Sequence, residues 1–543
     1  VENRRVATPE PPPERKRWLD VHCHVFNAAD VPLYEFIKRT RLRGGAGLAA
    51  PLLAIVAGGL RYQASSTVEE LTRLNAGAAP LFRAAPPTAA SLRAAVPDAD
   101  AGVGLRRLRD LAAPRPESRA FTVRSRAEAN VAPEGMEALQ LFDSAFREVG
   151  IRSPSPGRRA RLPAPPTNAE LQRFQALIDP RSRSASGLLA RYFRWGLMFT
   201  EDRNSLTSRL AALYDGQEVM LTPALVDYDA WLSAPDNGQP GQVRVMEAIA
   251  VQRGTAGLPV HAFLAFDPWR CIAEHAQGRD TLAELKEAVG KGAGIGVKLY
   301  PPMGFSAAGN TDRAAGEFPR ALRRLTGGRP GPALDAVLDS LFDWAARDEV
   351  PIMAHCGQSN GSRRSYEMLA HPDFWKRALD APGRRGLRVN LGHFGGIWDL
   401  GAAPGRDWAR SAAVLMESYP NVHADVAYFN TVLQQDPATA QEAVGFLAEL
   451  RRRPGSGLAR KVMYGSDWSM IGQEEGSDRY PGAVTTALAR LWPDDLEEDL
   501  RWRNAARYLG LDAGGGTRQR LAGLYERHGL SDEPLRRFSP TAA

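Results

Sequence analysis

The sequence predicts an α/β fold, a (β/α)8 TIM barrel with a large helical insertion after strand 1. Three observations predict it. From about residue 218, short apolar runs of strand length alternate with helical stretches. Seven such runs, with one more far upstream at 18–24, make the eight that closure into a barrel needs. The runs are apolar throughout, as parallel strands covered on both faces are, yet several finish in an ionisable residue, where a core strand has little packing reason to do so.

Residues 1–17 carry Pro9, Pro11 to Pro13 and the run Glu14-Arg-Lys-Arg17, which reads as a flexible N-terminal arm without the apolar core of a secretory signal. Residues 18–30 hold the first barrel strand. The stretch 31–217 is the predicted insertion. Helix starts are expected at Thr67-Val-Glu-Glu70 and Thr167-Asn-Ala-Glu170, which have capping-box spacing, and Leu188 to Tyr214 has apolar residues at helical spacing. Active sites of such barrels lie at the carboxyl ends of the strands, so an insertion there is expected to act as a lid. Gly44 to Leu60 is uncharged and approaches the ~20 residues of a membrane span. Its Gly, Ala and central Pro favour a buried piece of the lid, with membrane contact through 44–60 the lesser alternative. Residues 218–512 supply the rest of the barrel, with strands expected at 218–227, 259–266, 294–300, 351–356, 388–393, 421–427 and 461–466. Helices are expected at Thr281 to Val289, Ala333 to Arg347, Trp408 to Ser418 and Gln441 to Arg452. Residues 513–543 form a C-terminal tail.

At 44% hydrophobic and 24% charged residues, the composition is that of an ordinary globular chain. The net charge of +7 comes with arginines scattered rather than gathered into a stripe, and no aromatic-interleaved basic motif argues for a nucleic-acid partner. Cys23, Cys271 and Cys356 make no disulfide framework and fit a reducing, cytoplasmic setting, with export left open.

The chemistry sits at the strand ends. Asp20-Val-His22-Cys-His24 places two imidazoles two residues apart, on one face of a strand, which is half of a site for a divalent metal. Further runs end at Lys298, at His355, at His393 within Leu391-Gly-His-Phe-Gly-Gly396, and at Asp467 within Tyr464-Gly-Ser-Asp-Trp468. Four of the nine histidines thus fall at strand ends. His261, His275, His371, His423 and His528 read as core or surface residues, and Asp425 as a candidate at the rim of the site. Gly357-Gln-Ser359-Asn-Gly361 matches the nucleophile elbow of serine hydrolases, but it starts right after His355, whose strand a metal site explains better. Gly290-Lys-Gly-Ala-Gly-Ile-Gly296 precedes a strand instead of following one, which argues against a dinucleotide loop.

The ordered set His22/His24, Lys298, His355, His393, Asp467 resembles the amidohydrolase superfamily, in particular its amidohydrolase-related branch, which also holds non-oxidative decarboxylases. Asn504-Ala-Ala-Arg507-Tyr-Leu-Gly-Leu511 is similar to that branch's closing segment. The resemblance implies a divalent metal, zinc by preference, held by His22, His24, His355 and Asp467. Asp467 and His393 are then the catalytic pair: Asp467 moves the proton of the attacking water, and His393 orients the scissile bond. One ion is favoured; two would follow if Lys298 were carboxylated and bridged them, with His393 then a ligand of the second. An unmodified Lys298 would instead bind a substrate carboxylate or hold Asp467 ionised. Tyr300, Phe394, Trp398 and Trp468 adjoin the motifs and are candidates for the pocket wall. The expected reaction is attack of metal-bound hydroxide on a C–N or C–O bond (amide, lactam, lactone or ester) of a small, partly apolar or aromatic molecule. The alternative is non-oxidative decarboxylation of an aromatic or enol carboxylic acid. A homo-oligomer is in keeping with the resemblance.

Overall fold

The computed structural model describes residues 15–32, 35–36, 64–76, 195–196, 198–214, 216–233, 239–400, 403–434, 437–493 and 496–540. Eight parallel strands form its centre: β1 (Arg17–Cys23), β2 (Glu218–Pro223), β3 (Phe263–Ala265), β4 (Gly296–Leu299), β5 (Ile352–His355), β6 (Val389–Gly392), β7 (Val422–Asp425) and β8 (Val462–Met463). Each lies inside, or within one residue of, the run expected for it. The strands form two sheets rather than one closed ring, with β1 beside β2 and β3 to β8 in sequential order. Two isolated parallel bridges, Leu221 with Val260 and Ala224 with Phe263, join the first sheet to the flank of β3. On the other side Val21 N donates to Tyr464 O (3.3 Å) and Asp467 N to His22 O (2.7 Å).

Helices fill the crossovers for local reasons. Asp267 and Asp280 cap Pro268–His275 and Thr281–Gly290, their carboxylates accepting from Trp269 N and Ala283 N at 2.9 Å. Pro330 opens Pro330–Arg347, and Leu334, Leu338, Leu341, Phe342 and Ala345 form its buried stripe. Ala403–Ser418 and Pro437–Arg451 precede β7 and β8.

Two large apolar clusters result, besides a small one of Ala28, Ala64 and Phe199. One packs the outer faces of the strands on these helices. The other gathers Leu19, Val21, Met220, Phe263, Ile295, Met353 and Met463 with Trp502, Tyr508, Leu521, Leu524, Tyr525 and Phe538. Strands of both sheets therefore meet in one core, floored by C-terminal helices. The expected tail at 513–543 supplies part of that floor through Gly516–Arg527.

Within residues 31–217, expected to be an insertion, two helices are described, Thr67–Ala76 and Arg203–Ala212. The capping box of the first sits one residue earlier than its spacing suggested. Ser66 Oγ accepts from Glu69 N (3.3 Å) and Glu69 Oε2 accepts from Ser66 N (2.8 Å). Glu70 is thereby free to turn inward, where Arg203 joins it to Asp30: Arg203 Nη1 to Glu70 Oε1 at 2.8 Å, and Arg203 Nε to Asp30 Oδ2 at 2.9 Å. The cap expected at Thr167 and the apolar stretch 44–60 lie outside the described residues. Among the described residues no helix is long and apolar enough to cross a membrane.

Candidate metal centre

The carboxyl ends of six strands bring one group of side chains together. His22 and His24 close β1, Lys298 lies in β4, His355 ends β5, His393 follows β6, Asp425 ends β7, and Asp467 lies four residues past β8. All are buried. The register of β1 shifts between Asp20 and Cys23, so strict alternation breaks just before the first histidine. Leu19 and Val21 point into the floor cluster and Cys23 into the outer one, while Asp20 accepts from Ser466 N (2.9 Å), Ser466 Oγ (2.6 Å) and Tyr214 OH (2.6 Å). His22 and His24 still share a side: their Nε2 atoms lie 3.8 and 3.2 Å from Asp467 Oδ1. His393, Phe394 and Asp467 have φ of 68°, 50° and 53°, a region non-glycine residues seldom occupy and which concentrates at functional sites.

Three imidazoles have their Nδ1 hydrogens committed elsewhere. His22 Nδ1 meets Asp425 Oδ2 (3.0 Å), His24 Nδ1 meets Ala224 O (2.9 Å), and His393 Nδ1 meets Ala427 O (3.0 Å). Each acceptor requires an N–H, so each ring is left with an Nε2 lone pair. Donor atoms of His22, His393 and Asp467 all lie within 4.8 Å of one another. His22 and His393 ring centroids are 4.6 Å apart.

Electrostatics favour the forms a cation needs. Burial, with the neighbouring Lys298 charge, pushes His22 down to about 3, and burial lowers His393 as well, so both rings are neutral at pH 7. Burial opposes ionisation of Asp467, but the His24 hydrogen bond and the surrounding imidazoles hold it below the ordinary carboxylate range. Burial brings Lys298 down to about 8. Its Nζ lies 3.1 Å from His22 Nε2 and 3.3 Å from Met353 Sδ. Neutral imidazoles with an ionised carboxylate fit a divalent ion such as zinc. Such an ion would take His22 Nε2 from the Lys298 ammonium.

His355 is placed differently from the other three rings. Its Nε2 lies 3.1 Å from both Gly357 O and Ser359 Oγ. A carbonyl oxygen only accepts, so Nε2 carries the proton and is no base for Ser359; the ring's Nδ1 is the nitrogen left over. His355 packs against Tyr300 (4.5 Å) and His393 (4.7 Å). Trp398 lies 5.0 Å from His393. Tyr300 and Trp398, both half-buried, thus flank the histidines, whereas Phe394 and Trp468 are buried in the outer core.

Several participants escaped sequence reasoning. Asn390 Nδ2 donates to Asp425 Oδ2 (2.7 Å); a lone amide in an apolar strand, two residues before Gly392, was the available signal. Phe26 stacks on Phe199 (5.4 Å, 3° between planes) and lies 5.5 Å from His24. Phe199 O accepts from Ala28 N (2.8 Å), and Trp195 Nε1 donates to Ser469 O (2.7 Å). Nothing in residues 195–199 alone foretells that docking.

The family model described as Amidohydrolase matches residues 268–511, from just after β3 through the helix Asn504–Leu509; His22 and His24 lie outside it. No curated protein matches the chain. Among solved structures, a candidate metal-dependent hydrolase from Lactobacillus casei ATCC 334 aligns over 91% of this chain and 95% of its own, at 12% identity and TM-score 0.37. An amidohydrolase from Burkholderia multivorans aligns over 58% and 91%, at 13% identity and TM-score 0.36. A 5-carboxyvanillate decarboxylase from Sphingomonas paucimobilis aligns over 62% and 85%, at 13% identity and TM-score 0.30. Likeness this distant does not bear on the reaction. The segment that matches the Amidohydrolase family model, residues 268–511, is the one that carries Lys298, His355, His393 and Asp467.

Proposed function

We propose that this chain is a metal-dependent hydrolase that opens a C–N or C–O bond of a small, partly apolar or aromatic molecule. The observation that carries the reading is the convergence of the Nε2 lone pairs of His22, His24 and His393 on the Asp467 carboxylate. A bound divalent ion, zinc by preference, would supply Lewis acidity and bring the pKa of a coordinated water towards ~7. The protein groups do the rest. Asp467, held ionised, accepts the proton of the attacking water and passes it to the leaving group. His393, fixed by Ala427 O and by the Asp425 contact to its own N–H, would hold its Nε2 lone pair on the ion beside His22. Tyr300 and Trp398 wall the pocket, and their faces suit a flat or apolar substrate.

We place this site on a (β/α)8 barrel whose two sheets join through the Leu221–Val260 and Ala224–Phe263 bridges and the bonds from β1 to the segment after β8; these contacts support closure. We take the insertion as a lid, supported by Trp195 and Phe199 lying against Ser469 and Ala28 beside His24.

Asp467→Asn should abolish turnover while circular dichroism and the melting temperature stay near wild type; retained turnover removes the role given to Asp467. Water uptake without release of CO2, tested on a panel of esters, amides and hydroxybenzoates, separates hydrolysis from the decarboxylation alternative.

A further inference from the structure

Asp425 is fully buried at the end of β7, and both of its oxygens are fully engaged. Oδ2 accepts from His22 Nδ1 (3.0 Å) and Asn390 Nδ2 (2.7 Å); Oδ1 accepts from His393 N (2.9 Å) and Ala427 N (3.0 Å). A carboxylate offers about four lone-pair sites, and here four N–H donors use them. Asp425 therefore has no electron pair left for a cation, although it stands directly behind the ring that supplies one.

We propose that Asp425 is a positioning residue that determines which nitrogen His22 presents to the centre, and that it ties His22 to His393. Resting on the metal-centre reading above, the argument has three parts. An ionised carboxylate at Nδ1 holds the proton there, which leaves the Nε2 lone pair facing Asp467 and His393. The same carboxylate anchors the backbone N–H of His393, at φ 68°, so one group sets the ring of β1 and the strained turn after β6. Asn390 holds Asp425 from behind; its Nδ2 is the atom at the carboxylate because a carboxylate cannot donate, and its Oδ1 is buried with no partner among the described residues. The amide is thus spent on orienting Asp425.

Asp425→Asn keeps size and shape but replaces one acceptor oxygen with an NH2 donor. Wherever that NH2 faces His22, Nδ1 must accept, and the ring proton moves to Nε2. The test uses full-length protein labelled with 15N-histidine and freed of metal, with long-range 1H–15N correlation at pH 7.5 reading the His22 tautomer. Zinc affinity is measured alongside by competition with a chromophoric chelator. Expected are an Nδ1–H tautomer with a slowly exchanging proton in the wild type, loss of that pure tautomer in Asp425→Asn, and a drop in zinc affinity of ~10–100-fold. An Nε2–H tautomer in the wild type overturns the proposal by itself, whether or not the variant folds. Unchanged tautomer and unchanged affinity in a folded Asp425→Asn also overturn it. Failure of the wild type to bind zinc would refute the metal-centre reading, while the metal-free tautomer measurement still decides the role of Asp425.

Discussion

Gly392→Ala tests the seat of His22 most sharply. A Cβ at Gly392 would lie 3.0 Å from Ala354 O, 3.0 Å from His22 Cε1 and 3.2 Å from His22 Nδ1, where ordinary contacts begin at 3.4 Å. Relief needs movement of roughly 0.4 Å by one neighbour. Ala354 O belongs to β5, whose backbone is pinned to β6 by register, with Cys356 N donating to Gly392 O (3.1 Å). The ring of His22 is the softer side, yet moving it strains its 3.0 Å bond to Asp425. Overpacking of this size costs about 1–3 kcal/mol. Metal geometry tolerates only ~0.2 Å, so a ~10–100-fold loss of zinc affinity is expected even where the fold survives. Chelator competition gives the affinity and a thermal melt the folding check. Gly290→Ala, whose Cβ meets nothing within 4 Å among the described residues, is the control and should leave zinc affinity unchanged without lowering the melt. Gly392→Ala binding zinc within about twofold of wild type, with an unchanged melt, would refute the reasoning.

Three further outcomes are expected. Arg203→Met leaves Asp30 and Glu70 buried without their cation, with burial already pushing Glu70 up to about 7; urea unfolding should show a loss of ~3–5 kcal/mol, and a loss under ~1 would remove the structural role assigned to the cluster. His261 is held down by burial to about 3, against 6.5 for an ordinary imidazole. Its contribution is thus present above pH 6.5 and lost as pH falls towards 3, at up to ~1.4 kcal/mol per pH unit, because the unfolded chain takes up the proton first. His261→Gln should flatten the acid limb of the stability profile, and an identical limb would count against this. Ser359→Ala should keep most turnover, since His355 Nε2 donates to Gly357 O rather than serving as a base; complete loss would revive a serine nucleophile.

Local patterns made much of this legible. Apolar runs bounded by Gly, Pro and caps located the strands, since a parallel strand buried on both faces has little other way to look. Strand ends carrying His, Lys and Asp in order pointed to the centre because those positions lie at one end of the sheet. What the pattern could not carry depended on distant pairing. The bulge in β1 arises from its register against β2, and the direction of His355 Nε2 from a carbonyl in its own following loop. Asn390 gained meaning only once β7 brought Asp425 beside it, and Arg203 only once Asp30 and Glu70 closed around it. Capping boxes misplaced by one residue, as at Ser66, arise because Ser and Thr in adjacent positions serve equally well until the interior claims one of two glutamates.

The central claim is that His22, His393 and Asp467 form a metal centre. Elemental mass spectrometry on protein purified without added metal, beside the double variant His22→Ala/Asp467→Ala, tests it directly. About one equivalent of a divalent transition metal in the wild type and close to none in the variant is the predicted result. A wild type that carries none and takes up none on reconstitution, or a variant that binds as much as wild type, would contradict it.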